Sequence, residues 1–252
     1  MNSLEISLVA FACLFGGALA GMRIRAALPE HHLSDDSRNL LGMGMGVIGT
    51  MSGLVLGLLV ASATGAYNAQ RDEVLDASAK VVMLDRILAH YGPAANAPRR
   101  ELRVTVRRAL ARIWPNEESA GRQIDPSSTG GEAILDSLEG LTPRTDAQRS
   151  LKGEAIAIAI DLGQIRWLMY EQSGSGLSLP LLVLLVFWFT ITFIGFGLFS
   201  PPNATVVIAL ALCALAVSGA ILVTLDLYTP FEGLVKLPST PLRQALARLT
   251  GG

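Results

Sequence analysis

The sequence predicts an all-α membrane protein. Four transmembrane helices stand in a 2 + 2 order, with a water-facing helical domain between the pairs and helix two extending out of the membrane. Three observations predict this. Four strongly apolar runs, 4–22, 40–67, 177–199 and 204–227, have almost no charge in their cores. At ~1.5 Å per helical residue, each is long enough to cross a ~30 Å hydrocarbon layer. Charged residues make up 16% of the chain and apolar ones 51%, whereas ~25% charge is ordinary for a soluble domain. The polar centre carries helical periodicity and no strand pattern of weight. The domains read as 1–67 with helices one and two, 68–176 as a cytosolic helical domain, 177–228 with helices three and four, and 229–252 as a cytosolic tail.

The first run lacks the basic leader of a signal peptide, since residues 1–5 hold an acid and neither Lys nor Arg. Its Ala-Leu-Ala at 18–20 is a weak cleavage pattern, and the apolar run exceeds a typical signal core. It reads as a retained helix. Arg23 and Arg25 follow at the interface, and Pro29 ends the helix. In the polar link 30–38, Ser34 or Asp35 supplies a helix cap.

The second run is glycine-rich. Gly42, Gly46, Gly49, Gly53 and Gly57 are spaced four, three, four and four apart, which places them on one stripe at 3.6 residues per turn. Two uses of the stripe stay open and are compatible. Small residues at this spacing let helices approach closely. Alternatively the helix is a flexible pore lining, with Val47, Thr50, Leu54 and Leu58 facing a lumen. The apolar period continues through Val74, Ala77, Val81, Leu84 and Leu88 to Tyr91, where Gly92-Pro93 stops it. One helix therefore runs from the membrane well into the polar domain.

Within that domain a helix is expected over 99–114, with Leu102, Val106, Leu110 and Ile113 on one side. Arg99, Arg100, Arg103, Arg107 and Arg108 lie on the other, read as a solvated face, with a phospholipid headgroup or subunit contact as the functional reading. Residues 116–131 are rich in Pro, Ser and Gly and read as a mobile loop. A short helix over 132–139 and a long one over 147–170 follow. The long helix has Leu151, Ala155, Ile158, Leu162, Ile165 and Met169 as its apolar side. Residues 173–176 read as a hinge. Trp114 and Trp167 are expected as core anchors, with Trp188 inside the membrane. Cys13 and Cys213 lie in apolar runs and read as small packing residues with no disulfide framework.

Basic residues set the expected orientation. Within ~20 residues of the membrane ends, Arg71, Lys80, Arg166, Lys236, Arg243 and Arg248 stand on the side of the domain and tail. Arg23, Arg25 and Arg38 stand on the other. Six against three places both termini and the central domain in the cytoplasm.

Catalytic motifs are missing from the sequence: no P-loop, no Gly-x-Ser-x-Gly, no His-Glu-x-x-His, no Cys-x-x-Cys. The pair His31-His32 beside Asp35-Asp36 matches no standard ligand spacing, and the acids suit the positive start of a helix. No cofactor, metal or enzymatic activity is expected. A net charge of −1 gives no case for nucleic acid. In an oligomer, Asp35 and Asp36 form an acidic ring at a membrane mouth, and such rings favour cations. Asp226, at the end of the fourth run, reads as a hydrated interfacial anchor or as a site.

Four stretches carry a family resemblance: Leu28-Pro-Glu-His-His-Leu-Ser34, the glycine-rich run 42–62 with its Leu-Val-Leu-Gly-Leu-Leu-Val, Leu84-Asp-Arg-Ile-Leu-Ala-His-Tyr-Gly-Pro93, and Asp226 with Pro230-Phe231-Glu-Gly233. The chain resembles the bacterial bestrophin-like domain family over nearly its whole length, and more distantly the bestrophin channels. Those channels are pentamers whose second transmembrane helix lines the pore. The resemblance therefore implies a homo-oligomer, with five copies by analogy. The bestrophin calcium clasp follows a Pro-Phe motif with a run of acids. Here Pro230-Phe231 precedes Glu232-Gly233-Leu-Val-Lys, so calcium gating is not implied. The aromatic neck has no counterpart either, since residues 42–64 contain no Phe.

The functional expectation is a homo-oligomeric ion channel or channel-like pore, multi-pass in the bacterial inner membrane. Its partners are the bilayer, further copies of itself and inorganic ions. The alternative is a non-conducting scaffold or stress sensor that binds a partner through its cytosolic domain.

Overall fold

The computed structural model describes residues 2–29, 35–114, 130–174, 179–231, 233 and 235–250, with the side chains of 35–38, 130, 131, 170 and 172–174 outside the description. Among the described residues the chain is all-α, with eight α-helices and no strand. They are α1 (Ser3–Ala27), α2 (Asp35–Tyr91), α3 (Asn96–Ile113), α4 (Gly130–Glu139), α5 (Asp146–Gly174), α6 (Leu179–Phe199), α7 (Ala204–Leu227) and α8 (Thr240–Thr250). Four of them, α1, α2, α6 and α7, are long and apolar enough to cross a membrane. The expected mobile loop 116–131 lies almost wholly outside the described residues. So do His31, His32, Ser34, Glu232 and half of the hinge 173–176.

The helices fall into two compact units. One comprises Met1–Tyr67 and Gly176–Val235, the other Asn68–Ser175 and Lys236–Gly252. In the first, α1 packs against α6 and α7. Its core joins Leu14 and Ala18 of α1 to Leu185, Phe189 and Phe193 of α6, with Leu59 of α2 and Ala214 of α7. Glycine sets the closeness of this packing. A side chain at Gly21 would collide with the Ile194 carbonyl, and one at Gly197 with the Ala18 carbonyl. In a membrane, where lipid is as apolar as the helices, such backbone approach is a main source of helix association. Cys13 and Cys213 do not pack inside as expected: both are exposed at the surface of the chain. Each precedes a buried residue, Leu14 or Ala214, and so sits ~100° round its helix from the packed side.

In the second unit, the later part of α2 joins α3, α4, α5 and α8 around one core. Leu84, Leu88, Tyr91, Leu102, Leu138 and Leu249 are nearly inaccessible at its centre. The apolar residues expected on α2, α3 and α5 face inward there. α2 ends at Tyr91, where the sequence predicts it. Gly92 then takes φ +105, a conformation open to glycine at little cost, and a short 3-10 turn over Pro93–Ala95 leads into α3. The Gln148 amide donates to the freed Tyr91 carbonyl at 3.0 Å. Lys152 likewise caps the end of α4, reaching the carbonyls of Glu139 at 2.6 Å and Leu141 at 2.9 Å. The tail residues 236–250 belong to this unit. The Trp114 indole donates to the Leu237 carbonyl at 2.9 Å, and α8 buries Leu242, Ala245 and Leu249.

Two ion pairs tie α2 to its neighbours here. Lys80 meets Asp76 and Asp161, each at 3.1 Å. The hydrogen bond with Asp76, then that with Asp161, raises its pKa above 10.5. This small, solvent-screened contribution is complete below that value and lost as pH rises through the raised one. The stronger pair is Asp85 with Arg99. Both carboxylate oxygens accept from the guanidinium, at 2.8 Å each, with the side chains 10% and 17% exposed. Arg99 thus leaves the solvated basic face and locks α2 to α3 across the Gly92 turn. Asp85→Ala strands a shielded guanidinium and is expected to cost about 2–3 kcal/mol, below the ~3–5 of a fully buried pair. Denaturant unfolding followed by tryptophan emission measures it, and Asp85→Ala with Arg99→Met recovers part of the loss.

Candidate functional site

The membrane part of α2 has three distinct sides. Ser52, Leu59 and Ala63 are buried, at 0%, 7% and 0% exposure. Nearby, the Met45 thioether fills the space a side chain at Gly195 of α6 would need, and Gly49 faces the Thr192 methyl at 4.0 Å. This is the back of the helix, set against α6. Val47, Leu54 and Leu58 are 61%, 68% and 63% exposed, and Thr50 is exposed with them. At ~100° per residue these four span an arc of about 80°, centred roughly 170° from the buried side. The candidate lining residues therefore share one open face, and Met43 joins them at 72% exposure.

The glycine stripe forms the third side, roughly 100° from each of the others. Among the described residues, nothing lies within 4 Å of a side chain built at Gly42, Gly46, Gly53 or Gly57. The close packing inside the chain uses Gly21 and Gly197 instead, Gly21 closing a Gly17-Ala-Leu-Ala-Gly21 spacing in α1 that lies outside the α2 stripe. The open face is also less polar than its composition. The Thr50 hydroxyl donates to the Gly46 carbonyl at 2.8 Å, and that of Thr64, on the glycine side, to the Val60 carbonyl at 2.8 Å. Both donors are spent on the helix itself. Asp35 and Asp36 stand in the first turn of α2, and their side chains lie outside the described residues.

The second sequence-predicted cluster has a structural part to play. Asp226 is 4% exposed and so is no hydrated anchor. Its Oδ2 accepts from the Val235 amide at 2.8 Å. Gly233 lies so close that a side chain there would strike the carboxylate. Pro230 and Phe231 are buried in the same turn. The acid thus folds the segment after α7 back onto the helix end, and its burial is offset by the hydrogen bond it accepts. The Tyr228 hydroxyl, bonded to Ser62 at 3.0 Å, ties that end to α2.

Elsewhere Trp167 is 55% exposed and is not a core anchor. It sits roughly 200° round α5 from the buried Ile165 and Met169. Arg100, Arg107 and Arg108 are exposed on α3. No group of three or more metal-ligating side chains occurs among the described residues.

Comparison with known proteins gives one family. The model of the Bestrophin-like domain matches residues 12–242, a span that takes in α2, α6, α7, the larger part of α1 and the two motifs closed by Gly92 and Gly233. No curated protein and no solved structure matches.

Proposed function

We propose, for a chain that belongs to the bestrophin-like domain family, a homo-oligomeric ion channel or channel-like pore of the bacterial inner membrane, with α2 of each copy around a common axis. The family and the four apolar helices fit a membrane channel-like protein. One observation carries the finer reading. The apolar stretch of α2 is only 11% buried within the chain, against 33%, 39% and 22% for α1, α6 and α7. Lipid alone covers an apolar face, but it has no use for a flank of glycines, each costing a helix ~1 kcal/mol relative to alanine. A ring of copies uses all three sides of α2. The back rests on α6, the glycine flank receives the neighbouring copy, and Val47, Thr50, Leu54 and Leu58 face the axis. Apolar constrictions of this kind gate by dewetting. In this reading ions and further copies of the chain are the partners, and no catalytic step takes place.

The experiment is flux through vesicles holding the purified protein, with potassium, sodium and chloride tested separately. A stable oligomer that passes none of them leaves the scaffold or sensor as the better reading. That second reading has its own support in the central unit. Ile160, Trp167 and Leu168 of α5 are 47%, 55% and 49% exposed, an apolar surface beside the arginines of α3.

Both termini and the central unit are proposed to lie in the cytoplasm, on the six-to-three basic count. Cysteines placed in 116–131 of a Cys13→Ser, Cys213→Ser chain should resist an impermeant maleimide in intact cells and react after lysis. Labelling from outside reverses the orientation.

A further inference from the structure

The central unit contains a cavity of about 420 Å³, within the ~300–1,000 Å³ of small-molecule sites. Its walls are apolar: Val81 of α2, Val106 and Ile113 of α3, Leu135 of α4, and Leu162 and Met169 of α5. Trp114 also lines it. Its indole N–H is already given to Leu237, so the ring offers only apolar surface. Such a cavity leaves its wall atoms without dispersion partners on one side, and apolar cavities take apolar occupants.

The charge around it is one-sided. Arg108 and Arg112, one turn apart on α3, and Arg166 of α5 line the cavity, against Glu132, the one acid among the described lining residues. Arg166 is already engaged within the fold. Arg108 and Arg112 are exposed, and no ion pair among the described residues uses them. Guanidinium groups bind carboxylates through paired hydrogen bonds. A volume of this size has room for an acyl chain. Glu132 favours a head with one negative charge over one with two.

We infer that this cavity binds a long-chain carboxylate, with its tail against the α3 and α5 walls and its head on Arg108 and Arg112. The site lies wholly within the central unit and does not depend on conduction.

Tryptophan quenching by a bromine-tipped dodecanoate tests it. The full chain carries Trp188→Phe, so that only Trp114 and Trp167 report, and is held in phosphatidylcholine nanodiscs. Saturable quenching is expected. Arg108→Gln with Arg112→Gln should raise the half-saturating concentration about tenfold, in line with two solvent-screened ion pairs. Lysine at both positions keeps the charge and loses the paired hydrogen bonds, and should recover part of the binding. Gly163 lines the cavity with nothing within 4 Å of a built side chain, so Gly163→Leu should fill the space and abolish saturable quenching while the unfolding transition stays intact.

Unsaturable quenching, or unchanged quenching in Gly163→Leu, overturns the site. Equal quenching by the bromine-tipped alcohol overturns the anionic assignment. Equal quenching by a bromine-labelled phosphatidylglycerol makes the occupant a membrane phospholipid instead. Quenching that arises only after deletion of 115–129 makes the chain's own segment the occupant.

Discussion

Leu54→Ser should raise ion flux through reconstituted vesicles on the order of tenfold. If the open face of α2 surrounds an axis, Leu54 repeats once per copy and forms an apolar ring. Water leaves a narrow ring of leucines, and ions stop with it. Serine restores hydration without adding charge. A tenfold rate needs ~1.4 kcal/mol off the barrier, less than the ~1.5–3 kcal/mol by which one leucine side chain prefers to leave water. Oligomer size should not change, since Leu54 is 68% exposed within its own chain. Asp35→Asn with Asp36→Asn makes a companion test, because these acids at the start of α2 are the nearest fixed charges to one mouth. Reversal potentials under a salt gradient should show a weaker cation preference, with assembly preserved. An unchanged flux in Leu54→Ser removes that residue from any conduction path.

Gly53→Leu should convert the oligomer into single chains. The position is informative because nothing among the described residues lies within 4 Å of a side chain built there. Leucine also suits a helix ~1 kcal/mol better than glycine, so the individual chain should fold at least as well. Lost assembly therefore reports a contact with another copy. Gly49→Leu tests the same stripe less cleanly, since Gly49 faces Thr192 of its own chain at 4.0 Å. Mass measurement in mild detergent reads both variants. An unmodified protein that is already monomeric contradicts the proposed ring.

Much of the fold was legible because lipid imposes so simple a code. Uncharged apolar runs of about twenty residues or more are rare outside a membrane, and the turn at Gly92-Pro93 marks the end of α2 in plain residues. The apolar periods of α3 and α5 likewise pointed to their buried sides. What escaped the sequence was partnership. Gly21 and Gly197 carry the closest helix approach, yet nothing in their spacing names the carbonyls they meet. Arg99 looked like one arginine among five until folding set it beside Asp85, fourteen positions earlier. Asp226 looked interfacial because its partner is the backbone amide of Val235, which no sequence pattern marks. α8 was readable in principle: Leu242, Ala245, Leu246 and Leu249 follow Pro241 at helical spacing. At the candidate site, the shared face of Val47, Thr50, Leu54 and Leu58 followed from helix geometry. That the glycine flank is left uncovered required the other helices to be in place.

The most direct measurement is a density map of the purified particle in nanodiscs. Closed cyclic symmetry is expected, with α2 of every copy nearest the axis, Val47, Leu54 and Leu58 towards it, and the flank of Gly42, Gly46, Gly53 and Gly57 against the next copy. A single chain, or an assembly in which that face of α2 meets lipid at the periphery, would contradict the proposed pore.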